Sequence, residues 1–333
     1  MPHLGKTAAG PAEFAMNEEI LNILKSDSSG YTSGEWLCEK LGVSRSAIWK
    51  HIETLRALGY EIEAVPHQGY RLAVCPDKLI PEELKWALKT TTIGRKILSY
   101  DVVSSTNDIA FDLAKKGLEE GTVIVADGQT HGKGRLGRHW NSPKGKGIYL
   151  SIILRPSLPP QGISKLTLLA SLSVARAVKS LTNLEPQIRW PNDILIKGKK
   201  LSGILTEMSA EQDRLNFVIV GIGMNINSSQ ELLPPEATSI RLETDEKQSR
   251  VKFAQRLFEE FETIYRDFKE GKTARWMEEC RKLSSILGSR VRIDAPNPKE
   301  GYALDLDEEG ALVLRLDNGF TERLLAGDVV KVR

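Results

Sequence analysis

The spacing of apolar positions changes character along this chain. From Glu18 onward it is helical: Ile20, Leu21, Ile23 and Leu24 mark a first short helix ending at Lys25, and Glu35 to Leu41 forms a second. In a third, Ala47, Ile48, Ile52, Leu55 and Leu58 fall on one side. Ser33 stands near the N-cap of the second helix, Gly42-Val43 makes a tight turn, Ser44 caps the third, and Gly59 stops it. The period then falls to two over Tyr60 to Val65 and Tyr70 to Leu72, joined through Pro66-His-Gln-Gly69. Three helices followed by a β-wing predict a winged helix-turn-helix over residues 17–73. The Gly/Ala/Pro-rich stretch 1–16 lacks periodicity and is expected to be a disordered extension, with Met16 a second possible start.

Ala73 to Leu79, containing Pro76, reads as a linker, and beyond it strands and helices mix over residues 80–284. Val102-Val103 ends a strand, and Ser105-Thr106-Asn107-Asp108 has the form of a capping box opening a helix that runs to about Lys116. Apolar strands Thr122 to Ala126 and Ile148 to Leu154 flank a glycine-rich loop. A long amphipathic helix spans Ser164 to Leu181. Ile194 to Ile196 and Leu201 to Met208 form a hairpin around Lys197-Gly-Lys-Lys200. Leu215 to Val220 is a strand leading into Gly221-Ile-Gly-Met-Asn225, and two helices follow, Arg250 to Glu270 and Ala274 to Leu287. Over residues 285–333 five short alternating runs, separated by Gly/Asn/Asp turns, predict a small SH3-like β-barrel.

Composition adds mainly exclusions. The net charge of +2 is too small to imply nucleic acid on bulk electrostatics, so any such binding must come from a local patch. In residues 33–72 basic and acidic side chains balance, so the third helix's outward face (Arg45, Ser46, Lys50) offers candidate operator contacts, with a docking or dimerisation module as the alternative. Three separated cysteines (Cys38, Cys75, Cys280) fit a reducing cytosol and give no zinc or disulfide framework. The longest apolar run falls far short of the roughly 20 residues of a membrane span, and no signal peptide is visible.

Candidate chemistry centres on Gly128 to Gly147, with six glycines, five Lys/Arg and no acid. Such a loop is suited to closing over phosphate, with backbone N–H groups and cations converging on the ligand; the alternative is a solvated basic loop. Gly132-x-Gly134-x-x-Gly137 matches the dinucleotide fingerprint literally, yet no helix follows it and no acid ends the next strand. No Walker A motif exists, and His131 and His139 lack metal-ligand spacing, so no protein metal site is expected. A lysine in a hairpin turn, such as Lys200, is usually solvated.

Taken together and in order, several motifs resemble one family. Gln129-Thr-His-Gly-Lys-Gly-Arg-Leu-Gly-Arg-His-Trp140 is similar to the glycine-rich loop of biotin–protein ligases. Ser105-Thr106-Asn107, Arg189-Trp-Pro-Asn-Asp193, Lys200-Leu-Ser-Gly203 and Gly221-x-Gly-x-Asn225 follow at similar spacings. With the winged helix ahead, the chain resembles the bifunctional biotin ligase and biotin-operon repressors from about residue 17 to 333. The resemblance implies an α+β fold whose mixed α/β catalytic domain is related to class II synthetase-like ligases. It implies a cytoplasmic, AMP-forming biotin–[acetyl-CoA-carboxylase] ligase that uses biotin, ATP and Mg²⁺. It also implies biotin carboxyl carrier protein and operator DNA as partners, and a homodimer when biotinyl-5′-AMP is bound. The runners-up are a non-catalytic ligand-sensing repressor and a lipoate-type ligase.

By the same resemblance, Lys200 contacts the carboxylate and α-phosphate, and Arg135, Lys133 and Arg138 serve the phosphates. Ser105, Thr106, Asn107, Gln129, Gly134 and Gly203 hold biotin, together with Lys133, Arg135 and Lys200. Trp140 stacks near adenine, Asn225 bonds it, and Asp193 assists with Mg²⁺ or acceptor activation. Arg189 departs from the family's usual Lys, replacing a point charge by a fork.

Overall fold

The computed structural model describes residues 11–27, 30–211, 214–294 and 298–332. It divides into two compact units, one ending at Trp86 and the other beginning at Ala87.

The N-terminal unit comprises α1 (Pro11–Ser26), α2 (Gly34–Leu41), α3 (Arg45–Leu58), β1 (Glu61–Val65), β2 (Gly69–Val74) and α4 (Pro81–Leu84). The punctuation read from sequence sets the helix ends. Ser44 accepts from the Ala47 N–H, and Gly42 and Gly59 adopt the left-handed conformation that glycine enters without strain. Ile20, Leu21, Leu37, Ile48, Ile52 and Leu55 form the core that α1–α3 share. Thr32 exchanges both backbone hydrogen bonds with Tyr70, adding a short third strand to the wing. Gly69 makes this possible: its φ is 112°, and a Cβ there would lie 2.0 Å from the Thr32 carbonyl oxygen.

Two boundaries differ from the sequence expectation. α1 begins at Pro11, not Glu18, because proline suits a first helical position and Ala-Glu continue the turn. The expected extension therefore does not reach residue 16, and residues 1–10 lie outside the described residues. Residues 80–86, assigned by pattern to the central segment, pack with the N-terminal unit. There buried Glu83 accepts from Lys25 Nζ at 2.7 Å and from the Tyr60 hydroxyl at 2.5 Å.

The second unit is built on a seven-stranded sheet. Its strands are β3 (Ile97–Val103), β4 (Val123–Gln129), β5 (Gly147–Leu154), β6 (Gln187–Arg189), β7 (Asp193–Ile196), β8 (Lys199–Glu211) and β9 (Arg214–Asn225). Their order is β3-β4-β5-β9-β8-β7-β6, with β3 and β4 parallel and the other pairs antiparallel. β5 is buried at every position, as a central strand covered on both faces must be. Five helices accompany the sheet: α5 (Thr106–Lys115), α6 (Ile163–Leu181), α7 (Ile240–Thr244), α8 (Arg250–Lys269) and α9 (Ala274–Leu283). α5 packs Ala110 and Ala114 on Ile124, Ile153, Phe217 and Ile219. The strand expected to end at Val220 continues through Gly221 and Gly223 to Asn225, so these glycines lie in a strand rather than a loop.

The tail strands are β10 (Arg290–Asp294), β11 (Lys299–Leu306), β12 (Leu312–Leu316), β13 (Thr321–Leu324) and β14 (Asp328–Lys331). Their order, β13-β12-β11-β10-β14, leaves β13 and β14 on opposite edges. Five strands form as expected, but among the described residues their pairing stays open and no barrel closes. Trp190 Nε1, just after β6, donates to the Gly310 carbonyl at 3.0 Å and Arg281 of α9 to the Leu306 carbonyl at 2.7 Å, tying this sheet to the central segment.

Candidate active site

The floor of a cleft of about 350 Å³ is made of glycine. Gly203 on β8 and Gly223 on β9 are cross-strand partners, and Leu205 pairs with Gly221 two positions along. The missing side chains leave room for two others. A Cβ on Gly223 would lie 2.5 Å from the Trp140 indole, and one on Gly221 would lie 2.1 Å from Asn107 Oδ1. Trp140 thus rests on the strand backbone, where any larger residue at 223 would lift it.

One end of the cleft is neutral and hydrogen-bonded. Ser105, Thr106 and Asn107 are buried where β3 passes into α5. The capping box expected there does not form: Ser105 makes no capping bond with its side chain. Gln129 of β4 replaces it, its Oε1 accepting from the Thr106 N–H at 2.9 Å while its Nε2 donates to Ser142 Oγ at 2.8 Å. Asp108 instead meets Lys133 of the glycine-rich loop, and that bond holds the ammonium above its ordinary pKa.

The other end is ionic. Lys200 leaves the hairpin turn to Lys197 and Gly198, whose φ values are 48° and 80°, and stands within β8. Its Nζ lies 2.7 Å from Asp193 Oδ1 and 5.5 Å from the centre of the Trp140 ring. Asp193 Oδ2 takes Arg189 Nη2 at 2.7 Å. The glycine-rich loop folds back as a narrow hairpin, with Gly134 N–H donating to the Arg138 carbonyl at 2.7 Å and Trp140 N–H to the Gly132 carbonyl at 2.8 Å. Arg138 pairs with Asp328 of β14 at 2.5 Å and Arg135 with the same acid at 3.3 Å; Arg135 also donates to Asn192 Oδ1 at 3.0 Å.

The structure therefore brings Ser105, Thr106, Asn107, Gln129, Lys133, Gly134, Arg135, Arg138, Trp140, Asp193, Lys200, Gly203 and Asn225 to one cleft. Asn225 is the least available of them, because its Nδ2 donates to the Thr238 carbonyl at 3.1 Å. Sequence reasoning missed Asn192, which holds Arg135, and Asp328, which reaches the cleft from the tail sheet. A Gly-Asp turn far along the chain carries no local signal of that partnership. Ser151 and Glu207, which support Asn107 from β5 and β8, were missed for the same reason.

The comparisons bear on this cleft directly. Residues 99–225 match the Biotin/lipoate A/B protein ligase family, residues 17–71 an HTH domain, and residues 286–332 the Biotin protein ligase C terminal domain. The chain is 40% identical over 321 residues to the bifunctional ligase/repressor BirA of Bacillus subtilis, covering 94% of this chain and 98% of that one. It belongs to the biotin ligase/repressor family. The Escherichia coli bifunctional ligase/repressor BirA is 28% identical across 90% of this chain and 92% of its own length. A solved biotin protein ligase from Aquifex aeolicus, in complex with biotin and ATP, superposes with a TM-score of 0.62 at 28% identity. It covers 72% of this chain and 99% of its own.

Members of this family were expected to use Mg²⁺, with Asp193 assisting. In this chain the donor set does not fit a resident metal. Among the described residues no group of three or more His, Cys, Asp or Glu could hold one, and the Asp193 carboxylate is flanked by two cations, Arg189 on Oδ2 and Lys200 2.7 Å from Oδ1, although Oδ1 accepts no hydrogen bond. In the N-terminal unit, Arg45, Ser46 and Lys50 lie exposed along α3. Arg45 pairs with Glu35 at 3.1 Å, a solvent-screened contact that a phosphate could replace, and Ser46 Oγ lies 2.9 Å from Ser44 Oγ.

Proposed function

We propose that the central cleft joins biotin to ATP and passes the biotinyl group to a lysine of biotin carboxyl carrier protein. In the first step a biotin carboxylate oxygen attacks the α-phosphorus. The bond from that phosphorus to the bridging oxygen breaks, and pyrophosphate leaves. In the second, the acceptor's neutral amine attacks the acyl carbon of biotinyl-5′-AMP; AMP leaves and a proton is lost from nitrogen. No protein nucleophile is required. ATP is taken as its magnesium complex, the ion belonging to the substrate.

The observation that carries this reading is the division of the cleft: a neutral, hydrogen-bonded end beside a cluster of cations, each already facing an acid. A carboxylate approaching a polyphosphate needs preorganised positive charge where negative charge develops. Lys200, 2.7 Å from Asp193 and over the Trp140 face, would supply it at the carboxylate and α-phosphate. Arg135, Arg138 and Lys133 would exchange Asp328 and Asp108 for phosphate oxygens. Asp193, engaged by two cations, orients Lys200 rather than binding metal. Ser105, Thr106, Asn107 and Gln129 take the ureido ring, and Trp140 and Asn225 face the adenine. Pyrophosphate release from biotin and ATP by the full chain tests this. Its absence would leave a ligand-sensing repressor without catalysis, and release with lipoate instead of biotin would move the substrate to the lipoate type.

The same chain represses transcription through its winged helix, with Arg45, Ser46 and Lys50 reaching operator DNA. A helix-turn-helix reads paired half-sites as a dimer, and two copies would pair when biotinyl-5′-AMP fills the cleft. Sedimentation with and without biotin and ATP tests that pairing. A cytoplasmic setting agrees with the three free cysteines and with the absence, among the described residues, of a helix long and apolar enough to cross a membrane.

A further inference from the structure

Behind the neutral end of the cleft stands an acid that the proposed chemistry does not touch. Glu207 of β8 accepts from Asn107 Nδ2 at 2.6 Å, and the Leu205 carbonyl lies 3.4 Å from the same nitrogen. A carboxylate oxygen accepts from Nδ2 and repels Oδ1, so it fixes which way the Asn107 carboxamide faces. Oδ1 is then turned to Ser151 Oγ, which is fully buried on β5 and 2.6 Å away. An amide oxygen only accepts, so the Ser151 hydroxyl is the donor to it. Ser151 Oγ is also within donor reach of Thr106 Oγ1, at 2.8 Å. Thr106 Oγ1 donates its own proton to Gln129 Oε1 at 3.2 Å, the oxygen that also accepts from the Thr106 backbone N–H. Thr106, lining the cleft, is left with only lone pairs to offer a ligand.

We propose that Glu207 is a positioning residue that, through Asn107 and Ser151, makes Thr106 an obligate hydrogen-bond acceptor and so selects a ring bearing N–H groups. The inference rests on the biotin reading: a ureido ring carries two N–H donors, whereas the 1,2-dithiolane ring of lipoate carries none. A buried acceptor facing a dithiolane stays unpaired, which is how a site built for hydrogen bonding rejects an analogue lacking the donor. Gly221 is part of the device, since only glycine there admits the Asn107 carboxamide.

The test is steady-state pyrophosphate release by the full chain with ATP and either biotin or lipoate. Glu207→Leu is expected to raise the KM for biotin roughly 10- to 100-fold, leave the KM for ATP unchanged, and shrink the preference for biotin over lipoate in proportion. Glu207→Gln, whose amide oxygen can still accept from Asn107, is expected to stay within about threefold of the parent. A folded Glu207→Leu variant with unchanged biotin KM overturns the proposal. So does a loss that falls equally on biotin and ATP and is not rescued by Gln. Should Glu207→Leu fail to fold, Ser151→Ala breaks the relay one step later and is expected to raise the biotin KM about tenfold; no rise there overturns the proposal equally. Absence of biotin-dependent pyrophosphate release by the parent chain is a distinct result, removing the biotin reading and this inference with it.

Discussion

The two ends of the cleft are built on opposite principles. At the ring end, Asn107, Gln129 and Ser151 are linked to one another or to backbone through hydrogen bonds whose direction is fixed. At the phosphate end, Lys200, Arg135 and Arg138 are held by Asp193 and Asp328 in ion pairs that water still reaches. Fixed hydrogen-bond networks give selectivity, because a ligand with the wrong donor pattern leaves a buried group unpaired. Exchangeable ion pairs keep cations preorganised until a phosphate displaces the internal acid. The molecule separates recognition from electrostatic work within a few residues of the same strands.

The largest expected effect lies at the junction of the two ends. Lys200→Ala should lower the rate of biotinyl-5′-AMP formation roughly 10²- to 10³-fold while weakening biotin binding far less, as rapid-quench and equilibrium binding measurements would reveal. A comparable loss of biotin affinity would erase the distinction drawn between the ends. Next come the floor glycines. Gly221→Ala puts a methyl into the Asn107 carboxamide and should weaken biotin binding roughly 10- to 100-fold. Gly223→Ala meets the Trp140 indole and should fall mainly on the KM for ATP. Calorimetric titration with each substrate separates them, and identical profiles for the two variants would break the comparison. Arg138→Ala should raise the KM for ATP about tenfold with no change for biotin. Smallest is Lys50→Ala: gel shifts on the chain's own upstream DNA should weaken several-fold, with the salt slope reduced by about one and pyrophosphate release unaffected.

What could be read from sequence follows the range of the forces involved. Ser44 and Gly59 announce the ends of α3 through local hydrogen bonding and a left-handed φ, and both signals sit beside the helix they bound. The glycine-rich loop is visible as composition alone. Its tethers are not: Asp328 and Asn192 hold Arg135 across long stretches of chain, and such pairing leaves no periodic trace. Ser105 misled for the same reason, because a local S-x-x-D pattern was satisfied at a distance by Gln129 and Lys133. Gly221 and Gly223 were legible as places of close approach, but the groups that approach are Asn107 and Trp140 of the chain itself. Lys200 was the hardest case. A lysine at a hairpin reads as solvated, and only the family resemblance singled it out before the structure showed it beside Asp193 and over Trp140.

The most direct test of the central claim is single-turnover formation of biotinyl-5′-AMP from biotin and α-labelled ATP, comparing the parent chain with Lys200→Ala and Lys200→Arg. The account predicts stoichiometric adenylate on the parent chain, a rate lower by orders of magnitude for alanine and partial recovery for arginine, with biotin occupancy preserved throughout. Adenylate formation at the parental rate by the alanine variant would contradict it.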